Sequence, residues 1–97
     1  MKRTGISETV IEEIRALAVK YNIRKIILFG SRARGSFKRA SDIDLAVSGG
    51  NISRFALDVD EETSTPLKYD VINLDKPLSE ELQESVRTEG IVLYEKI

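Results

Sequence analysis

The sequence predicts an α/β fold in a single domain, with a mixed β-sheet and helices packed against it. Segments with the apolar spacing of helices alternate with short apolar runs typical of strands, in the order α-β-α-β-α-β-α-β. The chain has 97 residues, of which 41% are hydrophobic, and this suits one core rather than two. We therefore expect residues 1–97 to form one domain.

The first helix is predicted over residues 7–22, where apolar residues recur at helical spacing and Ser7 or Thr9 can cap the start. The run Ile26-Ile27-Leu28-Phe29 then indicates a strand over 24–29 that is covered on both faces. Gly30 ends this strand, and residues 31–35 are long enough for about one helical turn.

The remaining elements follow from the same patterns. Strands are predicted at 43–48, 68–73 and 91–94 because each is a short apolar run bounded by turn residues. A helix is predicted over 53–62 between the first two of these strands. A last helix begins after Ser79 as its cap and is closed by Gly90.

Composition limits the available chemistry to carboxylates, hydroxyls, Lys and Arg, because the chain has no histidine and no cysteine. A bound metal should therefore be a hard cation with oxygen ligands, either magnesium or manganese. Charge is unevenly spread: the balance is +7 over residues 1–39 and −8 over residues 40–97. Two solvated surfaces of different sign would also account for this asymmetry.

Gly30-Ser31 stands where a buried strand turns into a short helix. Glycine lets the backbone approach a ligand, and backbone N–H groups together with the Ser31 hydroxyl can bind an anion. By itself the dipeptide is more often ordinary turn chemistry.

Asp42 and Asp44 lie two residues apart at the start of a strand, so their side chains point to the same face about 6–7 Å apart. Two such carboxylates repel unless something positive lies between them. Asp70 interrupts another apolar strand, either as an exposed residue of an edge strand or as a third carboxylate beside the pair. Three carboxylates on one surface can hold two divalent cations for phosphoryl transfer.

The segment between these elements is basic. Arg32, Arg34, Lys38 and Arg39 lie within eight residues and could neutralise a triphosphate. For Lys38 and Arg39 a solvated loop is the preferred interpretation.

The motif Gly30-Ser31-Arg32-Ala33-Arg34-Gly35, followed by Ser41-Asp42-Ile43-Asp44-Leu45, resembles the signature of the DNA polymerase β-like nucleotidyltransferase superfamily. Ten residues separate Ser31 from Asp42, and Asp70 matches the third carboxylate of that signature. Within the superfamily, the sequence is most similar to the minimal nucleotidyltransferases, the antitoxin partners of HEPN-domain ribonuclease toxins.

This resemblance implies a polymerase β-like fold and a set of residue roles. Asp42 and Asp44 would ligate two Mg²⁺ ions, and Asp70 would ligate one of them and help to activate the attacking hydroxyl. Gly30 and Ser31 would hold the triphosphate. The implied reaction transfers AMP from ATP to a hydroxyl, with a tyrosine of the HEPN toxin as acceptor, and the modification silences the toxin.

We expect the acceptor to be a protein, because 97 residues leave no room for a second domain that selects another substrate. The acidic balance after residue 40 disfavours a long nucleic acid, and the chain has no apolar run long enough to span a membrane and no signal segment. A cytoplasmic location is expected. Two alternatives stay open: an inactive antitoxin that only masks its partner, and transfer of AMP to a small molecule.

Overall fold

The computed structural model describes residues 2–97 and confirms the predicted order of elements. The helices are α1 (Glu8–Lys20), α2 (Gly30–Arg34), α3 (Ile52–Glu62) and α4 (Glu80–Glu89), and the strands are β1 (Lys25–Phe29), β2 (Ile43–Ser48), β3 (Tyr69–Asn73) and β4 (Ile91–Glu95). A short 3-10 turn, Lys2–Thr4, precedes them. Among residues 2–97 no helix combines the length and the apolar character needed to cross a membrane.

Local signals in the sequence place most of the helix ends correctly. Ser7, rather than Thr9, caps α1, since its hydroxyl accepts a hydrogen bond from the backbone N–H of Val10. Ser79 caps α4 in the same way, and the N–H of Gly90 closes that helix on the carbonyl of Val86. The first helix ends earlier than predicted, at Lys20, because the chain turns sharply through Asn22, whose φ is 57°.

The four strands form one mixed sheet in the order β3-β2-β1-β4. Strand β1 pairs antiparallel with both β2 and β4, whereas β2 and β3 run parallel because α3 connects them as a crossover. Strands β3 and β4 are therefore the two edges of the sheet. The mixed sheet with helices confirms the predicted fold class.

The main core lies between the sheet and the helices α1 and α3. Alternate residues of β1 and β2 point into it, and those with no exposed surface are Ile26, Leu28, Ile43, Leu45 and Val47. The two helices also contact each other, and the Tyr21 hydroxyl donates a hydrogen bond to the buried carboxylate of Asp58. This layer holds the sheet in a fixed shape.

The opposite face of the sheet is only partly covered. Helix α4 packs there against β1 and α2, yet none of its own residues is buried. The prediction that β1 is covered on both faces is therefore wrong at Ile27, which stays partly exposed although its neighbours Ile26 and Leu28 are fully buried. Asp44 and Ala46 share this second face because they alternate with Leu45.

Leu45 tests how much the buried core contributes to the stability of the fold. Replacing Leu45, which is fully buried, with Ala should lower the free energy of unfolding by about 3 kcal/mol because of lost burial and the cavity left behind. Urea denaturation measures this change. The control is Leu57→Ala, since Leu57 is 49% exposed and should lose less than about 1 kcal/mol. Equal losses would contradict this account of the core.

Candidate active site

The second face of the sheet brings the predicted carboxylates together. In the parallel pairing of β2 and β3, Asp44 is the direct register partner of Asp70, so both side chains project from the same face of adjacent strands. Asp42 lies just before β2, two residues from Asp44. Strand β3 is an edge strand and Asp70 is exposed, as one interpretation of the sequence proposed. It nevertheless also neighbours Asp44.

Gly30 connects this carboxylate group to the turn after β1. Its φ is +76°, and a Cβ atom at this position would lie 2.2 Å from Oδ2 of Asp44. Such a distance is far inside van der Waals contact, so only glycine fits against the carboxylate. The antiparallel pairing of Phe29 with Asp44 produces this approach, because Gly30 is the next residue after Phe29.

The electrostatics of the site are unfavourable for a negative charge on Asp44. Partial burial and, to a smaller extent, the carboxylates of Asp70 and Asp42 raise its pKa from an ordinary value of 3.8 to about 6. The guanidinium of Arg34 opposes this rise in pKa without cancelling it. Within residues 2–97 none of the three carboxylates accepts a hydrogen bond or forms an ion pair. Their repulsion is therefore left largely uncompensated.

A cation would relieve this repulsion, and the oxygen donors are those that magnesium prefers. As the side chains stand, however, no group of three His, Cys, Asp or Glu residues in the described part of the chain is arranged to hold a metal ion. The structure therefore shows a surface with the right chemistry for a hard cation but not a preformed cage.

Ser31 and Arg34 lie on the short helix α2, beside the carboxylates. Ser31 is partly exposed, and its hydroxyl has no hydrogen-bond partner among residues 2–97. Arg34 reaches across to α4, where Nη1 lies 3.0 Å from Oε2 of Glu89. Nearly half of the Arg34 side chain is exposed, so it can exchange Glu89 for another anion.

Arg32 is placed differently from what the sequence suggested. It is only 2% exposed, and its guanidinium donates to the backbone carbonyls of Thr4, Arg39 and Ser41. Direct contact with a phosphate would require it to leave these three hydrogen bonds. This placement argues against the prediction that Arg32 binds the triphosphate, because the residue points into the protein.

Residues 12–97 match the family model described as Polymerase beta, Nucleotidyltransferase. The chain belongs to this family. A relative from Methanocaldococcus jannaschii, named "Putative protein adenylyltransferase", is 38% identical in an alignment that covers 90% of this nucleotidyltransferase and 96% of the relative.

Solved structures resemble this nucleotidyltransferase over most of its length. A toxin–antitoxin crystal structure with AMP-PNP matches with a TM-score of 0.72 and 26% identity, over 89% of this chain and 73% of the other. A structure of the tri-AMPylated Shewanella oneidensis HEPN toxin in complex with MNT antitoxin matches with a TM-score of 0.65 and 22% identity, over 90% and 71% of the two chains. The fold predicted from the motif is thereby confirmed.

Gly30→Ala should destabilise the protein by more than the strain of a left-handed backbone. Gly35→Ala is the matched control, because Gly35 has a similar φ of +84° but its Cβ would meet no atom within 4 Å. We expect about 1–2 kcal/mol of destabilisation for the control and a clearly larger loss for Gly30→Ala, which must also displace Asp44. Urea denaturation compares the two. Equal losses would show that the contact with Asp44 is unimportant.

The raised pKa of Asp44 makes stability depend on pH in a defined direction. The folded state holds the proton more tightly than the unfolded chain, so this carboxyl contributes most stability below pH 4, and the contribution falls as the pH rises to about 6. Without metal ions, Asp44→Asn should therefore be more stable than the parent protein at pH 7, by about 1 kcal/mol after allowance for solvent screening. The difference should vanish near pH 4.

Urea denaturation in the presence of a chelator, at several pH values between 4 and 7, measures this effect. Asp60→Asn on the exposed side of α3 is the control for the loss of one negative charge. A lower stability of Asp44→Asn than of the parent protein at pH 7 would show that the Asp44 charge is not in a repulsive environment.

Proposed function

We propose that this chain is an antitoxin that transfers AMP from ATP to a hydroxyl of a cognate HEPN ribonuclease toxin, with tyrosine as the acceptor, and so neutralises the toxin. The name of the 38% identical relative supports the activity, and the AMP-PNP complex at 26% identity supports the nucleotide. The structure of a tri-AMPylated HEPN toxin in complex with MNT antitoxin supports the proposed partner and product, because that complex contains a chain of the same fold. Residues 1–97 would then act as one minimal nucleotidyltransferase domain.

The contact between Gly30 and Asp44 is the observation that carries this proposal. It brings the two halves of the sequence motif, Gly30-Ser31 and Asp42-Ile43-Asp44, to one point on the sheet. Asp70 lies beside them because it pairs with Asp44 on the adjacent strand. A simple turn at Gly30 would not need to lie against a carboxylate. A nucleotidyl-transfer site does need a phosphate-binding turn next to a carboxylate, because the phosphates and the cations that neutralise them must be held side by side.

Magnesium is the metal that fits these donors best, and Asp42, Asp44 and Asp70 would hold two ions between them. When bound, the ions would offset the charge of the triphosphate and of the departing pyrophosphate. Partial burial and, to a smaller extent, its two carboxylate neighbours raise the pKa of Asp44 to about 6, so a bound cation would favour its ionised form. The three side chains would have to close on the ions, since they do not converge by themselves.

The protein residues would orient the reactants and accept the proton of the attacking hydroxyl. In the reaction, the acceptor oxygen forms a bond to the α-phosphorus, and the bond from that phosphorus to the bridging oxygen of the β-phosphate breaks. Pyrophosphate leaves, and the proton of the hydroxyl passes to a carboxylate, for which we assign Asp70. Its exposed place on the edge strand leaves it open to a hydroxyl delivered by another protein.

Gly30, Ser31 and Arg34 would bind the phosphates at the other end of the site. The backbone at Gly30 can approach a phosphate closely, and the Ser31 hydroxyl is available as a donor. Arg34 would exchange its partly exposed ion pair with Glu89 for a phosphate oxygen.

Labelled ATP provides a direct test of the activity. The protein is mixed with Mg²⁺, ATP and its candidate partner, a HEPN-domain protein, with the label on either the α- or the γ-phosphate. We expect the α-label to appear on the partner and the γ-label not to appear. Asp42→Asn or Asp44→Asn should reduce the transfer by at least about 100-fold, because each removes a carboxylate needed for the cations.

Asp60→Asn serves as the control and should transfer AMP at the parent rate, since Asp60 lies on α3, which packs on the opposite face of the sheet from the three carboxylates. Neutralisation of the partner without any label, and with equal strength in Asp42→Asn and Asp44→Asn, would favour an inactive antitoxin that masks its partner. Label on a small molecule instead of the protein would refute the proposed acceptor.

A further inference from the structure

Arg32 carries a buried charge that the proposed reaction does not use. Nη1 lies 2.8 Å from the carbonyl oxygen of Thr4, Nε 3.0 Å from that of Ser41 and Nη2 3.3 Å from that of Arg39. The guanidinium carbon also lies 4.8 Å from the centre of the Phe37 ring. Within residues 2–97 no carboxylate forms an ion pair with it.

This arrangement suits an arginine and no other side chain. Burial of a charge is costly unless hydrogen bonds satisfy it, and here three backbone carbonyls and an aromatic face do so. The planar fork of the guanidinium can donate in three directions at once, which the single ammonium of a lysine cannot do with the same geometry. The site therefore selects for the shape of the donor and not only for its charge.

Two of the three carbonyls, those of Arg39 and Ser41, belong to the loop that leads into the candidate site, whereas that of Thr4 belongs to the N-terminal turn. Arg32 follows Ser31 directly, whereas Ser41 immediately precedes Asp42. In the described chain, the other hydrogen bonds of α2 to the following loop reach only Gly35 and Ser36. Arg32 alone among these residues thus links α2 by hydrogen bonds to the part of the loop that leads into Asp42.

We propose that Arg32 is a positioning residue: through the backbone carbonyls of Ser41 and Arg39 it fixes Asp42 relative to Gly30 and Ser31. On the basis of the proposed function, it thereby sets the separation at which phosphates and their cations are held. Weakening these hydrogen bonds should reduce the coupling between nucleotide and metal, which is the factor by which Mg²⁺ tightens nucleotide binding. The nucleotide affinity without Mg²⁺ should change less. A displacement of about 1 Å at a reacting centre can reduce the rate by about 100-fold.

The link itself can be tested on the full chain without any ligand. In Arg32→Lys, trypsin should cleave after Lys38 and Arg39 about tenfold faster than in the parent protein, because the loop opens more often. Arg15→Lys is the matched control, since the Nε of Arg15 also donates to a backbone carbonyl, that of Leu93 at 2.9 Å, but joins α1 to β4. The control should retain the parent cleavage rate in this loop. Equal cleavage of the loop in Arg32→Lys and the parent protein would overturn the proposal.

The consequence for the site is tested by titration with AMP-PNP, with and without Mg²⁺. We expect the factor by which Mg²⁺ tightens AMP-PNP binding to fall about tenfold in Arg32→Lys, whereas the affinity without Mg²⁺ stays within about twofold. The kcat for AMP transfer should fall by about 100-fold, with KM for ATP within about threefold. Arg15→Lys should match the parent protein in all these values.

A merely structural role would lower the thermal midpoint and leave the folded protein with normal coupling and kcat, a result that would overturn the proposal. All measurements are therefore made at a temperature at which each variant is fully folded. Should Arg32→Lys not fold, Phe37→Leu replaces it, because this variant removes the ring against the guanidinium and keeps the arginine. It should shift the coupling in the same direction by about threefold, and unchanged coupling would again overturn the proposal.

Failure of the proposed function gives a different pattern. If the parent protein neither binds AMP-PNP nor transfers AMP, both proposals fail together. If the parent protein does both, and Arg32→Lys keeps the parent values for loop cleavage, coupling and kcat, only the role of Arg32 is refuted.

Discussion

The crowding of negative charge around Asp44 is the constraint on which the rest of the site depends. Asp44 stands in the middle of the sheet, beside Asp70 on β3 and close to Asp42, and the backbone of Gly30 lies against its carboxylate. No side chain larger than hydrogen fits at position 30 while this contact exists. Partial burial of Asp44 and, to a smaller extent, this crowding oppose its ionisation, so holding the three carboxylates together lowers the stability of the fold at neutral pH.

The two faces of the sheet divide stability and chemistry between them. Helices α1 and α3 cover one face with a fully buried core, and this layer supplies most of the apolar burial. The other face carries Asp44 and Asp70, and α4, which packs on that face against β1 and α2, has no buried residue. The basic segment is divided likewise: Arg32 points inward and holds the chain, whereas Arg34 stays exposed beside the carboxylates.

Much of the fold could be predicted from the sequence because its signals are local. Apolar spacing and caps such as Ser7 and Ser79 place the helices, and a same-face pair of aspartates follows from strand alternation. The partnership of Asp70 with Asp44 depends on strand order, which no local pattern specifies. The burial of Arg32 could not be predicted either. Two arginines two apart on a helical turn point in nearly opposite directions, so one of them can be buried, but the spacing does not show which one. The nearby aromatic Phe37 was the only local sign of which arginine would turn inward.

The strand order β3-β2-β1-β4 arranges the groups of the site in a row across the sheet. Gly30 follows β1, Asp44 is on β2 and Asp70 is on the edge strand β3, so the row runs perpendicular to the strands. One end of this row lies within the sheet and the other opens to solvent. The Asp70 end is therefore accessible to another molecule, while the Gly30 end is held between strands that pair on both sides. Such a layout keeps one end of the site open to large molecules and gives the other end the rigidity of the sheet.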